Sequence, residues 1–172
     1  TIAKGLTSAY APLSGSIVSQ GMWDVLVRGS DQLGPIGHGW TYSAHPICAA
    51  AGVANLNLID ELGLVKNAGE VGTYFRKNLS DALSSHKNVG EVRGDGLMAA
   101  VEFVEDKQDR HFFAPERKIG PSISAALLEE GVIGRAMPQG DILGFAPPLC
   151  MTTDEADIVV KAVERSIRKV LG

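Results

Sequence analysis

The chain has 172 residues, of which 45% are hydrophobic and 21% charged, and a formal net charge of −4. That length suits one domain or one large piece of a protein, and that balance supports a packed core rather than a disordered chain. With an acidic net charge and no basic run longer than two residues, the sequence offers no nucleic-acid surface, and stretches such as "PICAAAGVA" are too short and too rich in small residues to span a membrane.

The chain opens "TIAKGLTSAYAPLSG", whose first residues read as the end of a strand. The start has neither a basic region nor a long apolar run, so no signal peptide is visible, and without an initiator methionine the chain is expected to begin in mid-fold. In "GSIVSQGMWDVL" the apolar positions Ile17, Val18, Met22, Val25 and Leu26 have helical spacing. Arg28 to Ser43, rich in glycine and polar residues, reads as a long loop of the kind that carries function. A helix follows, with Ser43 as N-cap, Pro46 in its first turn and small residues for close packing. A second amphipathic helix follows a break near Gly63, with apolar residues including Val71, Phe75, Leu79 and Leu83.

Beyond "SSHKNVG" the pattern alternates. "VGEVRGDGLMAAVEFV" reads as a β-pair turning at "GDG", and "EDKQDRHFFAPERK" as a charged, exposed loop. "IGPSISAALLEEGV" is helical to Gly131, and "IGRAMPQGDILGFAPPL" is two short strands around a Pro–Gly turn. The last helix starts at "TTDEAD", capped by Thr152 or Thr153, with Asp154 and Glu155 at its positive end. Residues 1–43 thus read as the end of one domain, 44–61 as a connecting helix, and 62–172 as a small α+β domain with about two β-pairs and three helices. Cys48 and Cys150 fit neither a disulfide framework nor a metal-ligand spacing, which favours a cytoplasmic protein.

Lys4 is the first chemical candidate. It reads either as a solvated side chain near a terminus or as a partly desolvated amine, which in its neutral form attacks a carbonyl to give a Schiff base. In "GHGWTYSAHP", His38 and His45 are candidate catalytic histidines or, more plainly, packing and helix-starting residues. The Thr41 hydroxyl and loop N–H groups before a helix N-terminus suit a phosphate. Arg135, in a turn beside a strand, reads as a bidentate carboxylate receptor or as a solvated arginine. Asp95 reads as a turn residue, and no metal site is expected.

Taken in this order, "AKGLTSAYAPLSG", "GHGWTYSAHPICAAAG", "VRGDGLMAAVEF" and "GFAPPLCMTTDEAD" resemble the class III (fold-type I) pyridoxal-phosphate aminotransferases, and more closely their ω-amino acid or amine:pyruvate transaminase group. The resemblance runs along nearly the whole chain. It implies an α/β fold, the C-terminal part of a fold-type I enzyme: the end of its large cofactor-binding domain plus its small α+β domain. It implies that Lys4 holds pyridoxal 5'-phosphate as an internal aldimine and moves the proton, and that Thr41 reaches the phosphate of the partner subunit's cofactor in a homodimer with shared sites. It further implies that Arg135 receives the substrate carboxylate from a slightly lengthened turn. Small-molecule amines and keto acids are the implied partners, with no nucleic acid and no membrane. The family's aspartate for the pyridine nitrogen, its aromatic stacker and its glycine–serine phosphate turn precede the lysine, so the chain is expected to be a C-terminal piece, inactive alone. Two alternatives remain: another enzyme of the same fold, such as an aminomutase or decarboxylase, and a non-catalytic α+β interaction domain.

Overall fold

Helical periodicity around Met22 produces a helix that starts later and runs further than predicted. In the computed structural model, which describes residues 1–172, α1 spans Gln20–Leu33, with Ser19 Oγ accepting from the Met22 N–H at 3.3 Å. The predicted loop from Arg28 therefore begins only at Gly34, whose φ of +88° ends the helix. One interior glycine, Gly29, costs about 1 kcal/mol, too little to stop a helix whose backbone bonds continue on both sides. The second helix, α2, spans Pro46–Glu61 with proline in its first turn. Its N-cap is His45 rather than Ser43, because the Ser43 Oγ instead accepts from the Trp40 N–H at 3.0 Å and closes the preceding turn. Gly52 is the buried residue of α2, and a Cβ there would lie 2.9 Å from the Leu13 side chain. No single helix is long and apolar enough to cross a membrane.

The chain divides into two units, Thr1–Leu62 and Gly63–Gly172. In the second, Gly63 adopts φ +58° and starts α3, Leu64–Leu83, which buries Val71, Phe75, Leu79 and Leu83 along one stripe. The predicted β-pair is β1, Val89–Asp95, and β2, Met98–Phe103, turning at Gly96–Leu97. Helix α4 spans Ile119–Glu129, and β3, Arg135–Ala136, and β4, Ile142–Phe145, form the other pair. The two pairs are joined: β2 lies antiparallel to β4, giving one four-stranded sheet in the order β1-β2-β4-β3. Across it, Val92, Val101, Leu143 and Ala136 are in register and face the core, while Arg93, Ala100, Gly144 and Arg135 form the adjacent row on the opposite face. Phe75 meets Phe145 edge-on in the core, which also takes in Phe103, Leu127 and Ile167.

The last helix, α5, Thr153–Leu171, opens with a full capping box: Thr152 is the cap and Glu155 its reciprocal partner. Hydrogen bonds from the Thr152 backbone and hydroxyl hold the Glu155 carboxyl below the usual carboxylate range. This contribution is present above the unfolded-state value and is lost as pH falls through the lowered folded value. The charged loop after β2 is exposed as expected except at Phe113, which is buried with the Arg117 guanidinium 4.6 Å above its ring. Asn88, buried at 7% exposure, donates to the carbonyls of Val104 (2.9 Å) and Glu105 (3.1 Å), tying the start of β1 to the end of β2. Asn88→Ala leaves both carbonyls without this donor and is expected to lower stability by about 2 kcal/mol, read from the denaturant midpoint.

Candidate active site

Lys4 lies in the first unit, in a single 3₁₀ turn, Lys4–Thr7, rather than at a strand end. The strand-like character before it is one antiparallel bridge, with Ile2 N–H donating to Gly15 O at 2.8 Å and Gly15 N–H returning to Ile2 O at 2.9 Å. Lys4, Ser8 and Ala9 have φ of +55°, +49° and +61°, a left-handed conformation that costs non-glycine residues about 1–3 kcal/mol each. Such strain persists only where the surroundings impose it. Here Asn55 of α2 donates through Nδ2 to the carbonyls of Gly5 (3.0 Å) and Leu6 (3.2 Å), and its Oδ1 accepts from the Ser8 hydroxyl at 2.8 Å. Buried Thr7 donates through Oγ1 to Ala11 O at 2.6 Å. The lysine turn is thus strapped to α2 on one side and to the following chain on the other.

Lys4 is exposed, forms no ion pair, and borders a cleft of about 670 Å³. One wall is Ala9–Ser14; the other is Trp40, Tyr42, Ser43, Ala44, His45 and Cys48 at the start of α2. His45 caps the helix and also lines the cleft. Its Nδ1 is enclosed by protein and has no hydrogen-bond partner, and its ring lies 6.2 Å from that of Tyr42. His38 is not part of the lining and meets Trp40 edge-on at 5.8 Å. Thr41 occupies the same turn as Tyr42 and Ser43 but is exposed and outside the Lys4 cleft. This cleft combines an unpaired primary amine, an orphaned imidazole nitrogen and the N-terminal turn of a 16-residue helix. Such a donor set suits a ligand with one carbonyl and one anionic group.

Arg135 lies in the second unit, in β3 rather than in the turn that follows it. It is exposed and belongs to none of the chain's ion pairs. It lines a second cleft of about 820 Å³ on the free face of the sheet, otherwise bordered by Ala100, Met137, Ile142, Gly144 and, at the opposite edge, Arg93. Asp95 ends β1, exposed, as its turn reading implied. Sequence reasoning missed Asn55 as the strap of the lysine turn; its only local signal is a poor helix former in mid-helix. No group of three or more potential metal ligands is present.

The profile of the Aminotransferase class-III family matches residues 1–167. A diaminobutyrate–2-oxoglutarate transaminase of Halomonas elongata is 56% identical over 99% of this chain and 36% of its own length. Gamma aminobutyrate transaminase 1, mitochondrial, of Solanum lycopersicum is 32% identical over 98% of this chain and 32% of its own. Among solved structures, a transaminase from directed evolution by ancestral reconstruction superposes with a TM-score of 0.95 at 58% identity, covering 98% of this chain and 37% of that one. An (S)-enantioselective omega-transaminase from Thermomicrobium roseum gives a TM-score of 0.89 at 38% identity, covering 99% and 37%. The chain belongs to the class III aminotransferases, a pyridoxal-phosphate-dependent family, and its α/β fold is that of a portion of such enzymes. It spans 36% of the length of the Halomonas relative. The Lys4 cleft fits this cofactor: the amine suits its aldehyde, and the enclosed imidazole and helix N-terminus suit its polar and phosphate groups.

Proposed function

We propose that this chain is the C-terminal portion of a transaminase that moves an amino group from an ω-amino acid or amine to a keto acid such as pyruvate. The observation that carries the reading is the unpaired Lys4, held in a strained, strapped turn beside the enclosed His45 Nδ1. When bound, pyridoxal phosphate supplies an aldehyde that accepts the amine and a pyridine ring that takes up the electron pair released at the substrate carbon. Lys4 Nζ is the covalent attachment point. With the cofactor bound, Lys4 Nζ would also be the group that carries the proton to and from the amine-bearing carbon. The strapped turn fixes the backbone from which the Lys4 side chain projects. Arg135 receives a substrate carboxylate, for which an unpaired guanidinium is suited.

Thr41 serves the phosphate of the partner subunit's cofactor in a homodimer with shared sites. What supports this is an exposed hydroxyl lying outside the chain's own Lys4 cleft. Thr41→Ala is expected to weaken cofactor retention about tenfold or more while kcat with saturating cofactor changes little. Cofactor loss on dialysis measures it, and unchanged retention removes Thr41 from the site. A second reading of the acceptor is a dicarboxylate, since the Halomonas elongata relative is named for 2-oxoglutarate. The proposed location is the cytoplasm, on the strength of two free cysteines.

The test is chemical. The full-length enzyme should be yellow, and borohydride should bleach it and fix the cofactor's mass on the peptide that contains Lys4. A label on any other lysine ends this reading.

A further inference from the structure

One face of α2 both walls the Lys4 cleft and grips the lysine turn. Cys48, Gly52 and Asn55 are spaced i, i+4 and i+7, a single stripe of the helix. Cys48 lines the cleft. Gly52 is buried where the helix meets the turn: a Cβ there would lie 2.9 Å from the Leu13 side chain and 3.9 Å from the Leu6 carbonyl oxygen and from Thr7 Cγ2. Asn55 then bonds to the turn. Its Nδ2 donates to the carbonyls of Gly5 (3.0 Å) and Leu6 (3.2 Å), and its Oδ1 accepts from the Ser8 hydroxyl at 2.8 Å.

Helix formation does not explain this residue. Asn55 sits inside α2, where alanine is the better helix former, and both its amide hydrogens and its carbonyl oxygen are engaged outside the helix. What these bonds oppose is strain. Lys4, Ser8 and Ala9 all have positive φ, and a turn released from its surroundings relaxes toward the ordinary negative region. The Ala9 N–H donates to the Lys4 carbonyl at 3.3 Å, so loosening the Ser8 end reaches back to the lysine. A changed φ at Lys4 redirects its Cα–Cβ bond, and with it the whole arc that the amine can sweep.

We infer that Asn55 is a positioning residue for amino transfer: by holding the left-handed turn against α2, it aims the Lys4 side chain into the cleft. The carboxamide acts through the backbone of the turn. This rests on Lys4 as the attachment point and proton carrier proposed above. While Nζ is covalently attached, that bond confines it. The strap matters most once Nζ is free and must stay close to the carbon whose proton it carries, where a displacement of about 1 Å costs rate. The loss on removing the strap therefore falls on kcat and not on binding of the amine.

Asn55→Asp keeps the size and the acceptor for Ser8, but it removes both amide donors and sets a carboxylate against two carbonyls. In the full-length enzyme it should lower kcat about tenfold or more, with KM for the amine donor within about threefold of the wild type. In the cofactor-free protein, the Leu6, Ser8, Ala9 and Tyr10 amides, hydrogen-bonded within the turn, should exchange with deuterium about tenfold faster. Asn88→Ala is the matched control. It removes a double carbonyl clamp of the same kind in the second unit, and it should leave both kcat and exchange in the lysine turn unchanged. Ser8→Ala leaves α2 intact and should repeat the pattern at about threefold, which decides the matter if the aspartate variant does not fold. Wild-type kcat in both turn variants, a loss confined to KM, or an equal kcat loss in Asn88→Ala overturns the inference. Borohydride labelling keeps the underlying reading separate: a label on another lysine ends that reading, whereas a Lys4 label with wild-type kcat in Asn55→Asp ends only the positioning role.

Discussion

Lys4→Ala should abolish amino transfer by the full-length enzyme, lowering kcat by about 10³-fold or more, because one nitrogen serves as both attachment point and proton carrier. Loss of only the first role would loosen the cofactor and spare the proton transfer. Loss of the second alone would leave a coloured but slow enzyme. The alanine variant loses both, and the half-reaction with an amine donor, followed by absorbance in a single turnover, separates them from substrate binding. The fold should survive, since Lys4 is exposed and its side chain forms no ion pair, while the strap from Asn55 holds the carbonyls of Gly5 and Leu6 rather than the lysine itself. Half-reaction turnover within tenfold of the wild type would sink the mechanism.

Gly72→Ala should destabilise the chain by about 3 kcal/mol, whereas Gly69→Ala, one helical turn earlier, should stabilise it by about 0.5–1 kcal/mol. Both glycines lie inside α3, so both substitutions gain the same helix propensity. Their surroundings differ. A Cβ at Gly69 meets nothing within 4 Å. At Gly72 it would overlap the Gly96 carbonyl and lie 2.8 Å from the Leu97 nitrogen, at the β1–β2 turn. Arg76, one turn further along α3, donates through Nη1 to that same Gly96 carbonyl, so the turn is clamped to the helix from two positions. These are main-chain atoms and cannot swing aside like the end of a side chain. Paired urea denaturation of the two variants gives the result directly, and equal shifts would show that helix and hairpin are not packed this closely. Since β1 and β2 carry Arg93 and Ala100, a displaced turn should also disturb the sheet cleft.

Local signals were readable in the sequence. Pro46 opens α2, Gly63 separates two helices, "GDG" turns a hairpin, and Thr152 with Glu155 caps the final helix. Each works through backbone dihedrals or hydrogen bonds spanning a few residues, so the chain announces it locally. The exceptions were also local. The Ser43 hydroxyl accepts from the Trp40 N–H in the preceding turn instead of capping α2, and Gly29 proved too weak a breaker to end α1. Burial was less legible: Phe113 sits in a run that reads as solvent-exposed, yet it joins the core cluster, with Arg117 over its ring.

The sequence by itself determined the family, which is a matter of residue type and order, and offered Lys4, Thr41 and Arg135 as the candidate reactive groups. Only the tertiary structure decided what surrounds them. Asn55 reaches the lysine turn across about fifty positions of chain, β2 joins two hairpins into one sheet, and the pairing register puts Arg93 and Arg135 in one row. Strand register and long-range hydrogen bonds depend on which segments meet after collapse, and no spacing within a single segment encodes that.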